Sequence, residues 1–358
     1  MRFRYAFRQG VVISLLVLAA CPGLWAQDPA TESGGDVGGE VGGAVLGQKF
    51  VEITDEMTAS VNRGLQKLAA LQKEDGSFGS AHFGRHVGIT SLACLAFMSH
   101  GDLPNRGPFG SNVQRGLSFV LDSVQETGLI AADTSHGPMY GHGFATLFLG
   151  EVYGQTQDKR VRDSLVKAVR LIVACQNHEG GWRYQPVPND ADVSVTICQI
   201  KALRSARNAG IKVPKETIDR AVEYVRNCQN ADGGFRYMMQ GGGSAFPRSA
   251  AGIASLYYAG VYADDALDRG LKYLTQNTPG EGRHVAHYFY GQYYAVQAMF
   301  MAGGKYWKTW FPAIREELLS RQDSQSGLWS SQHGTAYGTA MALIVLQMPN
   351  RYLPIFQR

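Results

Sequence analysis

The candidate acid–base residues of this sequence stand at the starts of its most apolar segments. Asp190 and Asp192 lie two positions apart, just ahead of one such segment. If that segment is a helix, its positive end would stabilise an ionised acid, whereas apolar walls would raise the pKa of a carboxyl group and leave it a proton to donate. An acid at this position could also serve only as a helix cap. A general acid and a cap both remain open for Asp192, and Asp190 is its candidate partner.

Aromatic and basic residues recur at the same ends of these segments. Tyrosine and phenylalanine faces can line a lipid cavity or stabilise a cation, and they can equally be ordinary core. The polar neighbours could bind an anionic group or lie on a solvated rim. The resulting candidates for a ligand cavity are Tyr140, His142, Phe144, Tyr257, Arg248, His284, His287, Tyr290 and Tyr294.

A repeat of about fifty residues organises the elements that must position these groups. A glutamine recurs at each period, and in the clearest copies a glycine and an aromatic residue follow it, as in Gln72 to Phe78, Gln176 to Trp182 and Gln229 to Phe235. The glycine permits the left-handed residue that ends a helix, and the glutamine amide can serve backbone groups left unpaired there. The six glutamines are Gln72, Gln125, Gln176, Gln229, Gln276 and Gln322.

Each period predicts two helices of different character. One is amphipathic and ends near the glutamine, so it should lie on the outside, while the other is apolar nearly all round and should be enclosed. The expected outer helices are 53–72, 111–125, 158–176, 214–229, 264–276 and 306–322. The expected inner helices are 86–101, 142–154, 190–210, 244–262, 284–304 and 335–348. The sequence therefore predicts an all-α fold, a closed (α/α)6 toroid of six helical hairpins over residues 53–350.

The glutamine turns resemble the QW motif of squalene and hopene cyclases, and the hairpin repeat is similar to the toroid of protein prenyltransferase β-subunits. Arg63-Gly64 precedes Gln72 by the nine residues of that motif, as Lys167 precedes Gln176. The resemblance implies a terpene-cyclase-like or prenyltransferase-like protein that binds an isoprenoid or other lipid in a central, aromatic-lined cavity. In the family's Asp-x-Asp-Asp motif the second acid donates the proton. Asp192 matches that acid, and Val193 replaces the last one.

No cofactor motif and no metal-ligand spacing is found. The Asp-x-Cys that begins the zinc site of the prenyltransferases is missing from the inner segments, so no metal is predicted. Cys94, Cys175, Cys198 and Cys228 form no Cys-x-x-Cys pair and are expected to be small buried apolar side chains.

The N-terminus is typical of an export signal. Arg2, Arg4 and Arg8 precede a short apolar run, and cleavage is expected after residue 26 or, if a lipobox is used, before Cys21. A glycine-rich spacer, 27–52, and a C-terminal tail, 351–358, flank the toroid. The protein is thus expected to be exported, periplasmic or extracellular, with a lipid anchor at Cys21 as its one route to a membrane. Removal of the three N-terminal arginines leaves 31 of the 34 basic residues against 30 acidic ones, so the remaining chain is nearly neutral. Its net charge gives no reason to expect nucleic-acid binding.

Three functions stay open from sequence alone. The first is a lipid-binding toroid with acid catalysis by Asp192. The second is a non-catalytic binding or scaffold toroid. The third is a polysaccharide-active toroid, which would need two carboxylates facing each other across the cavity.

Overall fold

The computed structural model describes residues 52–79, 83–133, 137–280 and 285–357. The expected signal and almost all of the expected spacer lie outside these ranges. The described residues contain twelve α-helices and no strand, all within the compact unit Lys49–Arg358. The odd-numbered helices are α1 Asp55–Ala70, α3 Gly110–Asp122, α5 Lys159–Ala174, α7 Lys215–Asn227, α9 Asp265–Thr275 and α11 Gly304–Arg321. The even-numbered ones are α2 Val87–Ser99, α4 Met139–Thr156, α6 Val193–Asn208, α8 Phe246–Ala259, α10 Tyr288–Ala302 and α12 Thr335–Leu346.

The even-numbered helices form a closed inner ring. Each packs against the next, and α12 returns to pack against α2. Every residue of α2 is buried, whereas α5 buries only one stripe, at Val161, Leu165, Ala168, Val169 and Ile172. This contrast confirms the predicted (α/α)6 toroid with enclosed inner and half-exposed outer helices. The end of the ring where inner helices begin is called the mouth, and the opposite end the far end.

Four of the recurring glutamines, Gln72, Gln176, Gln229 and Gln322, fasten one hairpin to the next. All six lie one to three residues beyond the outer helices instead of inside them. The amide of Gln176 donates to Gly180 O in its own turn and to Thr217 O on the neighbouring outer helix, both at 2.8 Å. Gln322 likewise donates to Gly327 O at 2.8 Å and to Ser60 O at 3.0 Å. Because Ser60 belongs to α1, the last turn fastens the end of the ring to its beginning.

The aromatic residues of these turns are core residues. Trp182 is 1% exposed, and its indole donates to Ile172 O at 2.7 Å. The Trp182 backbone amide donates to the hydroxyl of Thr196 in the first turn of α6, at 3.1 Å. Gly180, at φ +99°, has the left-handed conformation that the turn requires. The same contacts fix where each inner helix begins, and hence where the residues at the mouth lie.

The C-terminal residues pack against the far end of the ring. The amide of Gln347 donates to Ala96 O at the end of α2, and the amide of Asn350 donates to Ser99 O, both at 3.0 Å. The Ile355 backbone amide donates to Glu151 Oε2 on α4 at 3.3 Å. The residues after α12 thus cover the far end. In the described ranges, no helix is long and apolar enough to cross a membrane.

Candidate active site

Asp192 lies at the mouth, between two neighbouring glutamine turns. It is the N-cap of α6: its Oδ1 accepts from the Val195 backbone amide at 2.9 Å. Its own amide donates to Trp182 O, and the next amide, of Val193, donates to Tyr237 O, both at 3.0 Å. These bonds bring the residues that follow Trp182 and Phe235 to Asp192. The side chain is 0% exposed, so Asp192 is both a cap and a buried acid.

Arg183 lies between the two candidate acids. Its guanidinium forms an ion pair with Asp190, whose side chain is half exposed, and its Nε is 3.7 Å from Asp192 Oδ2. Neither that Nε nor Asp192 Oδ2 has a hydrogen-bond partner of good geometry among the described residues. Asp190 therefore pairs with the arginine and not directly with Asp192. Val193 replaces the last acid of the cyclase motif, so no second carboxylate lies there. The Arg183 guanidinium lies near Asp192 instead.

Burial dominates the electrostatics of Asp192. It raises the pKa of the carboxyl from 3.8 to about 6, against the opposing effects of the Val195 amide, the Tyr237 hydroxyl and the Arg183 charge. About a tenth of the molecules would still carry the proton at pH 7. An acid of this kind can donate a proton near neutral pH.

Four tyrosines surround this acid at the mouth. The hydroxyls of Tyr184 and Tyr237 hydrogen-bond to each other, and the Arg183 guanidinium lies 5.2 and 5.9 Å from the centres of their rings. The Tyr140 ring is 6.0 Å from that of Tyr184. Tyr290 of α10 donates to Ser194 O on α6, two residues after Asp192, at 2.9 Å. Burial raises the pKa of Tyr140 and Tyr290 well above the ordinary value, so both hydroxyls stay neutral.

A cavity of about 760 Å³ opens at the mouth between the start of α10, the end of α11 and the start of α12, and of these four tyrosines Tyr290 lines it. Tyr290 and Tyr337 lie on its wall, together with His287 and His333. The two imidazole rings stack with their centres 5.9 Å apart and their planes 6° from parallel, and the Gln332 amide lies within hydrogen-bond distance of both. The cavity thus has a polar rim and an aromatic wall, and Tyr290 links that wall to α6 through its bond to Ser194 O.

The other sequence-predicted residues fall into three groups. Phe144 and Tyr294 lie on the ring axis: the Phe144 ring is 6.1 Å from that of Tyr293, and the Tyr294 hydroxyl is 3.3 Å from Cys198 Sγ. His284 lies outside the described residues. The remaining three are held away from Asp192.

His142, Tyr257 and Arg248 have partners that explain their positions. His142 is fully buried, and its Nδ1 accepts from the Ile130 backbone amide at 3.1 Å. Tyr257, in the last turn of α8, packs near exposed Tyr262. Arg248 braces the preceding loop through bonds to Phe235 O and Gly243 O at 3.0 and 2.6 Å. The structure therefore does not bring these three to the acid.

Arg183, Tyr184 and Tyr237 are the residues at the acid that were not singled out from sequence. A signal for them exists. Trp182-Arg183-Tyr184 and Phe235-Arg-Tyr237 are the same aromatic-Arg-Tyr extension of two neighbouring glutamine turns. Equivalent turns of a ring place equivalent residues side by side, which is how Tyr184 meets Tyr237. In the part of the chain that the structure describes, no three His, Cys, Asp or Glu side chains cluster as a metal site would require.

Comparison with known proteins shows that the sequence is similar to terpene cyclases. Residues 151–319, which contain Asp190 and Asp192, match the family model of the squalene-hopene cyclase C-terminal domain. A drimenyl diphosphate synthase of Streptomyces showdoensis is 24% identical over 216 residues, which are 60% of this chain and 38% of that protein. The resemblance to terpene cyclases is confirmed. The chain spans well under half the length of this curated relative.

Solved structures agree on the fold. The type II terpene cyclase MstE of Scytonema superposes with a TM-score of 0.59 at 13% identity, covering 84% of this chain and 100% of that one. MstE has also been solved in complex with geranylgeranyl dihydroxybenzoate, its substrate. A cellobiose 2-epimerase of Spirochaeta thermophila gives a TM-score of 0.63 at 13% identity, covering 82% and 96% of the two chains. At these identities the likeness establishes the α/α toroid and nothing finer.

Proposed function

We propose that the protein binds an isoprenoid chain at the mouth of the ring and protonates it with Asp192. The observation that carries the proposal is a fully buried carboxyl group whose pKa is raised to about 6 and which lies among four tyrosines. It occupies the position of the proton-donating acid in the cyclase motif that this sequence resembles. The cyclase relatives support an isoprenoid ligand, since MstE is solved with a geranylgeranyl substrate.

The proposed chemistry is an isomerisation. The proton on Asp192 Oδ2 passes to one carbon of an alkene, and the other carbon becomes a carbocation. A neighbouring double bond attacks that cation and closes a ring, and a proton is finally lost to water, so the product has the mass of the substrate. Solvent returns a proton to the carboxylate. The faces of Tyr140 and Tyr290 would stabilise the cation, as ring quadrupoles do for any cation near them.

Arg183 is the feature that sets this site apart from the four-residue acid motif. A cation 3.7 Å from the carboxyl favours its ionised form and lowers the pKa that burial raises. At neutral pH a smaller fraction of Asp192 is therefore expected to carry its proton than if a second carboxyl group stood at Val193. Since Asp192 is fully buried, a substrate must also displace side chains at the mouth before the proton can move.

Those two observations favour a second candidate, a toroid that binds an isoprenoid without transforming it. The polysaccharide-active alternative is less well supported, because it needs two opposed carboxylates, and the two acids at this mouth share one arginine. Export remains a proposal that rests on the N-terminal sequence. It would make an unphosphorylated isoprenoid the more suitable ligand, since prenyl diphosphates are expected in the cytoplasm.

The test is to incubate the purified protein with farnesol and analyse the organic extract by gas chromatography and mass spectrometry. We expect a cyclised isomer of unchanged mass, and we expect Asp192→Asn to reduce its rate by about a hundredfold or more. Asp158→Asn, which makes the same exchange at the exposed N-cap of α5, is the matched control. Binding without turnover would select the second candidate. If the protein neither binds nor converts farnesol, the isoprenoid proposal is refuted.

A further inference from the structure

Side chains of α6 and α10, the two inner helices on either side of α8, meet inside the ring at three successive levels. At the mouth the Tyr290 hydroxyl donates to Ser194 O at 2.9 Å. One turn deeper, the Tyr294 hydroxyl lies 3.3 Å from Cys198 Sγ. Deeper again, the Lys201 amine donates to Gln297 Oε1. The two parallel helices thus bridge the ring axis from the mouth into its far half.

The second level marks a change from open to filled space. Tyr290 lies on the wall of the mouth cavity and is partly exposed. Tyr293 and Tyr294 are both 0% exposed, and they pack edge-to-face with ring centres 4.8 Å apart. The Phe144 ring closes on Tyr293 from α4, on another side of the ring. Along α10 the side chains are therefore partly exposed at Tyr290 and fully buried from Tyr293 and Tyr294 onward.

The third level is filled by a buried lysine. Lys201 is 1% exposed, and it donates to the Tyr293 hydroxyl at 2.6 Å. Its Nζ lies 4.3, 4.6 and 5.2 Å from the ring centres of Tyr293, Phe356 and Tyr258. Phe356 belongs to the C-terminal residues that cover the far end. Three aromatic faces that could otherwise line a deep cavity are thus occupied by the protein's own amine.

We propose that the Cys198–Tyr294 level is the floor of the ligand site, so that the ring holds a short isoprenoid chain, farnesyl rather than geranylgeranyl in length. Cys198 lies six residues along α6 from Asp192, which places the floor about 9 Å below the acid at 1.5 Å per residue. Isoprene units beyond that depth stay in water. This inference deepens the proposed function and rests on its isoprenoid site.

The floor has a consequence for affinity that needs no turnover. Burying further carbons of a chain strengthens binding steeply, whereas carbons left in water add nothing. In the wild-type protein, geranylgeraniol should therefore bind no more than about threefold tighter than farnesol. Removing the Tyr294 ring should open the space down to Lys201, and geranylgeraniol should then bind at least about tenfold tighter than farnesol.

The experiment measures equilibrium binding of both alcohols, delivered from cyclodextrin, to the full mature chain by native mass spectrometry. The variants are Tyr294→Ala and the milder Tyr294→Leu, in case the larger truncation prevents folding. Tyr294→Phe keeps the ring and should retain the wild-type ratio. Tyr257→Ala makes the same truncation beside exposed Tyr262 and should retain it too.

The possible results distinguish a failure of the proposed floor from a failure of the proposed isoprenoid site. A wild-type ratio of tenfold or more in favour of geranylgeraniol, or an unchanged ratio in both Tyr294 truncations, overturns the floor and leaves the isoprenoid site standing. Failure of both alcohols to bind the wild-type protein overturns the floor and the proposed function together. A small wild-type ratio that rises only when the Tyr294 ring is removed supports both.

Discussion

Replacing Asp192 with asparagine should change how the stability of the protein depends on pH. The asparagine keeps an oxygen that can accept from the Val195 amide, so the N-cap is retained, while the proton and the charge are removed. The carboxyl pKa is about 6 in the folded protein, against 3.8 in the unfolded chain. The free energy of proton binding therefore differs between the two states by about 3 kcal/mol. This magnitude is large enough to measure in a domain of this size.

The sign follows from which state holds the proton more tightly. Because the folded pKa is raised, the folded wild-type protein binds the Asp192 proton more tightly, and protonation stabilises it. That contribution is present near pH 4 and is lost as the pH rises through 6. The asparagine variant has no such proton. Its free energy of unfolding, relative to wild type, should therefore increase by about 2–3 kcal/mol between pH 4 and pH 8.

Urea denaturation followed by circular dichroism at several pH values measures this difference. Asp158→Asn is the control, because Asp158 caps α5 through Arg160 and Val161 at an exposed position. Its difference from wild type is expected to stay within about 1 kcal/mol over the same range. An Asp192→Asn difference that does not vary with pH would refute the argument that burial raises this pKa.

Four further results are expected. Arg183→Gln should raise the pKa of Asp192 above about 6, because a nearby cation is lost, and should move the stability transition to higher pH. Gln322→Ala should lower the free energy of unfolding by roughly 2–4 kcal/mol, since it removes two buried hydrogen bonds where the ring closes, and a loss below about 0.5 kcal/mol would contradict that role. Cys198, whose pKa burial raises to about 12, should resist a thiol reagent until urea unfolds the protein. The exported protein should lack its first 20 or 26 residues by N-terminal mass, and a diacylglycerol adduct on Cys21 would select the shorter cut. An intact Met1 in a soluble cytoplasmic pool would refute both cleavages.

The fold could be predicted from sequence because its signal is repeated and local. Glycine, glutamine and an aromatic residue recur at each turn, and Gly180, Gln176 and Trp182 make the contacts that their types suggest. The apolar and amphipathic helices alternate strictly, so inner and outer layers follow from periodicity. The limits of the helices were less certain. Gln176, for example, lies beyond the end of α5 because its amide is needed in the turn.

The site was only partly predictable, because facing directions and long-range neighbours are not local properties. Asp192 could be located from its position before an apolar helix. His142 lies near the start of an inner helix too, yet its side chain is committed to the Ile130 amide. Of the pair Tyr257 and Tyr258, the second is the one that bonds to Gln297 on the ring axis. One residue along a helix turns a side chain by about 100°, and the pattern of a helix that is apolar all round cannot say which residue faces the axis.

The most direct test of the account is a crystal structure of the protein with a tertiary amine analogue of farnesol, whose ammonium stands in for the proposed carbocation. We expect the isoprenoid chain of the analogue to lie at the mouth above Tyr294, with its ammonium near the faces of Tyr140 and Tyr290 and within ion-pair distance of Asp192. An analogue bound at the far end, or bound at the mouth with its ammonium turned away from Asp192, would contradict it.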